Sequence, residues 1–387
     1  MSGYDFDRAP DRRGTCSYKW DTTPADVLPM WVADMDFATA PCIIEALRRR
    51  IDHGVLGYTA VPPEFYQSIT AWYGRRHGWS PEPAHMLYTS GVVPAISAII
   101  KALTRPGDGV VVLTPVFNCF FSSIRNNGCR ALEVELTVNP DDGKYRIPLD
   151  KLERTAARPD AKILLLCNPH NPGGRVWTRE ELEAVWQIAR RHRMFVISDE
   201  IHCELTYPGH DYTPWAAVDD GADYAVCVAP TKAFNIAGLQ IAAIVAPDAE
   251  VRDRIDRAIN INEVCDVNPL GPVATIAAYE HGADWLDELR RYLYINSQTV
   301  SAMLAEGLPR ARVMPLESTY LAWVDFSYTG LDSTALERLC EDVARVRLSP
   351  GDIFGKGGES RLRINFACPR DTLVGALSRI IDIPRLH

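Results

Sequence analysis

Residues 163–202 run Ile163-Leu-Leu-Leu-Cys167, Asn168-Pro-His-Asn-Pro-Gly-Gly174, a segment headed by Thr178 and Glu181, then Met194-Phe-Val-Ile-Ser198 and Asp199-Glu-Ile-His202. The two apolar runs are short, unbroken and stopped by polar residues, as strands buried on both faces of a parallel sheet are. Between them Thr178 and Glu181 stand at capping-box spacing, and Leu182, Val185, Trp186 and Ala189 recur at helical period. Strand, capped helix and strand make a βαβ unit. The fold class is therefore α/β, built on a doubly wound, mostly parallel sheet.

The pattern extends in both directions. Val110 to Leu113 is closed by Thr114-Pro115, and Tyr224 to Val228 by Ala229-Pro230. Residues 46–284 are expected to form a large domain around these strands. The first 45 residues are rich in Trp, Pro and Asp without regular period. Residues 285–387 hold an amphipathic helical stretch, a strand-like Tyr320 to Asp325 and a second strand near Arg361 to Phe366. We read residues 1–45 and 285–387 together as a smaller α+β domain.

The bulk numbers exclude several classes. The chain has 387 residues, 47% apolar and 24% charged, which suffices for a large core. A net charge of −9 disfavours nucleic acid and anionic membranes as partners, and the Arg48-Arg49-Arg50 triplet fits a solvated helix face. No apolar run approaches the roughly 18 residues of a membrane helix. The start, Met1-Ser2-Gly3-Tyr4-Asp5, lacks the apolar core of a secretory signal. Ten cysteines without a C-x-x-C pair suit a reducing cytoplasm, the expected location.

Open parallel sheets gather ligands at the carboxyl ends of their strands. That places Asn171, Asp199 with His202, and Thr231-Lys232 around one crevice. Singly these groups are commonplace: an Asp after a strand caps helices, an Asn-Pro makes a turn, and His202 suits a structural role equally well. Together they match what pyridoxal phosphate (PLP) requires. Its aldehyde needs a lysine whose amine can lose its proton, and its pyridine nitrogen needs a buried carboxylate. The phenolic oxygen needs a donor such as an Asn amide, and the ring an aromatic face. Its phosphate needs backbone N–H groups at a helix start, which Ser90-Gly91-Val92-Val93-Pro94 offers. Gly355-Lys356-Gly357-Gly358 does not fit a Walker loop and is expected to be a turn.

These residues resemble the class I/II aminotransferases of PLP fold type I, the aspartate-aminotransferase-like fold. More closely they are similar to the cystathionine β-lyases, or C–S lyases, of the PatB/MalY type. The resemblance rests on Asn168 to Gly174, Ser198 to His202 and Ala229-Pro-Thr-Lys-Ala-Phe-Asn-Ile-Ala-Gly-Leu-Gln240. It is extended by Lys19-Trp20-Asp21, Leu28 to Phe37, His53-Gly54 with Gly57-Tyr58, Ser349-Pro350-Gly351 and Arg361 to Asn365. It implies that Lys232 holds PLP as a Schiff base and moves protons at the substrate's Cα. It implies that Asp199 pairs with the ring nitrogen, Asn171 contacts the phenolic oxygen and the substrate, and Phe117 stacks on the ring. Gly91, Val92, Val93 and Thr231 are implied to hold the phosphate, with His202 as a further cofactor contact. Tyr58 is implied to reach the phosphate of a neighbouring subunit, which makes the protein a homodimer with shared active sites. Arg363 is implied to bind the substrate carboxylate, while Ala33 and Asp34 lie in the entry segment. No metal is implied.

Three positions depart from the family pattern. Phe117 stands for a usual tyrosine, Ala229 for a Ser or Thr, and Gln240 for the phosphate-binding arginine of typical aminotransferases. The last departure favours a lyase that eliminates a thiol from an S-substituted L-cysteine, leaving pyruvate and ammonia. The same Lys, Asp and Asn serve an aminotransferase, which is the alternative; a fold-retaining regulatory binding protein is the third.

Overall fold

The computed structural model describes residues 3–261 and 266–387. Its central element is a seven-stranded sheet. In chain order the strands are β1 (Met86–Thr89), β2 (Gly109–Thr114), β3 (Arg130–Glu135), β4 (Ala161–Cys167), β5 (Phe195–Asp199), β6 (Tyr224–Val228) and β7 (Ala242–Val245). Across the sheet they lie in the order β1-β7-β6-β5-β4-β2-β3. Strands β3, β2, β4, β5 and β6 pair in parallel, and β7 runs antiparallel to both β6 and β1.

Burial on both faces explains the unbroken apolar runs. Val111, Leu113, Leu164, Leu166, Val196 and Val226 enter one core cluster, whereas Val110, Val112, Ile163, Leu165, Ile197 and Ala225 enter the other. This is the period of two written through strands that have no solvent face. The capping box forms as expected: Thr178 Oγ1 accepts from the Glu181 amide, and Glu181 reaches back to the Thr178 amide at the head of helix α2 (Arg179–Arg191). The preceding helix α1 (Val92–Leu103) buries Ala95, Ile96, Ile99 and Ile100 in the second cluster.

The chain ends build a second, four-stranded antiparallel sheet that includes Leu321–Asp325 and Arg361–Asn365. The N-terminal segment forms a separate two-stranded sheet, in which Leu28-Pro29 pairs in parallel with Val346-Arg347. A helix over Ala283–Gly307 packs against Arg370–Ile381 behind the four-stranded sheet. The Gly355 to Gly358 stretch is a turn, with Gly355 and Gly357 at positive φ. Pro41–Asp52 is a helix whose Arg48 and Arg49 face solvent. No helix among the described residues is long and apolar enough to cross a membrane.

Candidate active site

The register of the large sheet sets the site. Cys167, Asp199 and Cys227 are direct neighbours across β4, β5 and β6, so these three strands end level. The polar residues that follow each end therefore emerge at one height. Asp199 has the parity of Ile197, which puts its side chain on the face covered by α1.

There a cavity is lined by Asn171, Asp199, His202, Thr231 and Lys232 at the strand ends and by Gly91, Val92 and Val93 at the start of α1. Phe117 closes one side and Ala33 another. Gly91 has φ 142°, a conformation that a side chain would strain, and α1 has no side-chain cap. Its first N–H groups therefore face the cavity without a side-chain acceptor.

Burial tunes the charged groups. Asp199 is 2% exposed, and its carboxylate accepts the Ile201 amide at 3.2 Å. Loss of hydration raises its carboxyl to about 7, against the opposing pull of that amide and of Lys232. Lys232 is lowered to about 8, first by burial and then by the positive charge of Arg363, while Asp34, Asp199 and Cys119 oppose the shift. Its Nζ donates to the Ala33 carbonyl at 2.6 Å. His202 is lowered to about 3 by burial and by Lys232 and Arg363, so it is neutral at pH 7. Its Nδ1 is buried without a hydrogen-bond partner among the described residues.

Arg363 lies just behind this cavity. Nη1 donates to Asn171 Oδ1 at 3.2 Å, and Nη2 to the Trp31 carbonyl at 3.0 Å and to Ser349 Oγ at 3.4 Å. The guanidinium also covers the Phe354 ring, 4.8 Å from its centroid.

Two expected residues do not line this chain's cavity, Tyr58 being the one assigned to a neighbouring subunit's site. The Asp34 carboxylate is held by Arg12 at 2.7 Å and does not line the cavity, although its neighbour Ala33 does. Tyr58 is 99% exposed on an irregular segment, outside the cavity of its own chain. Conversely, Tyr320 was not singled out in the sequence, yet its hydroxyl donates to the Ala33 carbonyl at 3.0 Å. Cys119, also not singled out, has its thiol pushed up by burial, with Lys232 and Arg363 opposing that shift and Asp199 adding to it. A tyrosine opening a strand and a cysteine in a helix carry no local signal of a site. Asn168 turns away from the cavity, its amide donating to the Thr213 carbonyl at 2.9 Å. His170 is buried between Tyr145 and Trp177, whose ring centroids lie 6.4 and 5.4 Å away.

Comparison with known proteins agrees with this architecture. The family model for aminotransferase class I and II matches residues 25–380. The chain is 41% identical to cystathionine beta-lyase PatB of Bacillus subtilis, over 97% of this chain and 98% of that protein. It is 35% identical to protein MalY of Escherichia coli, over 99% of each. Among solved structures, cystalysin from Treponema denticola, which contains pyridoxal 5'-phosphate, superposes with a TM-score of 0.95 at 33% identity, covering 98% of each chain. The PLP-bound C–S lyase from Staphylococcus hominis gives 0.92 at 32% identity, again over 98% of each. The level strand ends, the helix start beside them and these matches together lead to one conclusion: the chain belongs to the class I and II aminotransferase family.

Proposed function

We propose that the protein is a PLP-dependent C–S lyase that cleaves S-substituted L-cysteines by β-elimination, releasing a thiol and, after one water hydrolyses the eliminated three-carbon fragment, pyruvate and ammonia. The observation that carries it is the single cavity joining Lys232, Asp199 and Asn171 to the start of α1, in a chain 41% identical to a cystathionine beta-lyase.

The cavity fits the cofactor. Asp199 is a buried carboxylate with no cationic hydrogen-bond partner among the described residues, as a protonated pyridine nitrogen requires. The uncapped start of α1, with Gly91 leaving the approach clear, suits a phosphate, and Thr231 adds a hydroxyl beside it. Bound there, PLP supplies an electron-poor ring that withdraws charge from the substrate's Cα.

The chain's own residues do the rest. Lys232 is the attachment point, and its lowered basicity makes the free amine available near neutral pH. With PLP held there, Lys232 Nζ would be the group that takes the substrate's Cα proton. Asp199 keeps the ring nitrogen protonated. Asn171 spends Oδ1 on Arg363, which leaves its Nδ2 to donate to the phenolic oxygen. Neutral His202, with Nδ1 unpartnered, is a second hydrogen-bonding group at the ring. Arg363 offers its fork to the substrate carboxylate. Departure of the thiolate needs little acid assistance, because a thiol is acidic near pH 8.5, far below an alcohol.

The active unit in this proposal is a homodimer. Tyr58 at 99% exposure, beside Val55 at 62% and Leu56 at 58%, presents an apolar segment outward from which Tyr58 reaches the partner's phosphate site. A reducing cytoplasm is the proposed compartment, supported by free thiols at all described cysteines. We propose residues 46–284 as the cofactor domain, with 1–45 and 285–387 forming the smaller one.

Pyruvate release from L-cystathionine by PLP-loaded protein, without any keto-acid acceptor, tests the activity. Sustained multiple turnovers are expected. Absence of pyruvate, with glutamate formed once an amino donor and 2-oxoglutarate are supplied, would replace lyase by aminotransferase.

A further inference from the structure

The strap formed by residues 31–35 borders the cavity at Ala33, and side chains hold its carbonyls one after another. Arg363 donates to Trp31 O at 3.0 Å, and Asn365 Nδ2 to Val32 O at 2.5 Å and Asp34 O at 2.6 Å. Asn235 donates to Met35 O at 2.9 Å. The middle carbonyl, Ala33 O, receives two donors: Lys232 Nζ at 2.6 Å and the Tyr320 hydroxyl at 3.0 Å. A carbonyl oxygen has two acceptor sites, so both are filled.

We infer that Tyr320 is a positioning residue: its hydroxyl fixes the Ala33 carbonyl as the resting acceptor for the Lys232 amine whenever that amine is not bonded to the cofactor. This rests on the proposal that Lys232 is the cofactor lysine. A lysine side chain has four rotatable bonds, and proton transfer at Cα demands that Nζ stay within hydrogen-bond reach of one atom. An acceptor that is itself held supplies that restraint. Tyr320 is suited to the task because it is 1% exposed and burial keeps its hydroxyl protonated, hence a donor, at all working pH. Its ring stands edge-on to His202 at 6.3 Å, so it is braced from the cavity side as well.

Tyr320→Phe removes the hydroxyl and keeps the ring. In PLP-loaded enzyme we expect full cofactor stoichiometry and a KM for L-cystathionine within about twofold, but kcat lowered about tenfold, which corresponds to ~1.4 kcal/mol at the proton-transfer step. A second measurement needs no turnover. In PLP-stripped protein, Lys232 is labelled with acetic anhydride across pH and quantified by peptide mass spectrometry. Arg363, Asp34, Asp199, Cys119 and His202 surround Lys232 and are unchanged by the substitution. Loosening the Ala33 acceptor therefore shifts the labelling curve to lower pH, because the ammonium form loses a partner. An unchanged curve with unchanged kcat, or a loss confined to thermal stability or KM, would overturn the inference. Lys232→Ala in parallel separates the two claims: continued covalent PLP capture overturns the assignment of Lys232 itself. Loss of capture there, with Tyr320→Phe indistinguishable from wild type, overturns only the role of Tyr320.

Discussion

Arg363 and Asn171, 192 residues apart in sequence, meet with Nη1 3.2 Å from Oδ1. The first sits on a strand of the small sheet and the second follows β4 of the large one. Their contact joins the proposed carboxylate-binding group to the proposed ring-binding group. It also orients the Asn171 amide, since an oxygen accepting from Arg363 leaves the nitrogen free toward the cavity.

Arg363→Lys keeps the charge and loses the fork. One ammonium cannot serve Asn171, Trp31 and a substrate carboxylate together. We expect kcat/KM for L-cystathionine to fall by about 100-fold, roughly 2.7 kcal/mol, with most of the loss in KM and PLP retention unaffected. Steady-state kinetics beside a PLP titration measure both. A loss of PLP with KM intact would relocate Arg363 to the cofactor.

Asp199→Asn tests the ring-nitrogen partner and carries a stability signature. A carboxyl raised from its usual value to about 7 stays protonated in the folded state while the unfolded chain ionises near pH 4. That group's contribution is therefore fully present below about pH 4 and is lost as pH rises to about 7. Without PLP, the Asn variant is expected to match wild type in thermal unfolding near pH 4 and exceed it at pH 8. Turnover of the loaded variant is expected to fall at least about 1000-fold. Unfolding differences that do not depend on pH would remove the buried carboxylate from the account.

In the proposed role Lys232 must be neutral to attack the cofactor's aldehyde, and its amine is lowered to about 8. The rate of PLP capture by stripped protein is expected to rise with pH and level off above about 8, where an ordinary lysine would still be climbing toward about 10.4. Stopped-flow absorbance gives this profile directly. Lys232→Ala is expected to show no such phase and to lose nearly all turnover.

Tyr58 is expected to act across the dimer. Tyr58→Ala and Lys232→Ala proteins should each be nearly inactive. Mixing them after dissociation should restore about one quarter of wild-type activity, because half the dimers are mixed and each carries one intact site. Mixtures no more active than their parents would place Tyr58 outside the shared site.

Much of the fold was readable because its local signals are strong. The Thr178–Glu181 capping box and the doubly buried runs of β2, β4, β5 and β6 are all written within a few residues. Strands β1, β3 and β7 were not singled out. Met86–Thr89 is four residues, Arg130–Glu135 is largely half-buried at the sheet edge, and Ala242–Val245 runs against its neighbours. The first two lack the long apolar run that marks a central parallel strand, whereas residues 241–246 are such a run and nothing local distinguishes its antiparallel direction.

The same division holds at the site. By itself the sequence determined that an amide, a carboxylate and a lysine follow successive parallel strands, because polar residues ending buried strands can only emerge at the sheet's carboxyl edge. It also marked Gly91 and the helix after it as an anion-facing start. Only the tertiary structure decided that Asp34 turns to Arg12 while Ala33 turns its carbonyl to Lys232 and Tyr320. It likewise decided that Tyr58 lies outside its own chain's cavity. The physical reason is range. Strand ends and helix starts are set by neighbours within a few residues, whereas the partners of the strap are 199 and 287 residues away, brought there by two cores that must each be buried first.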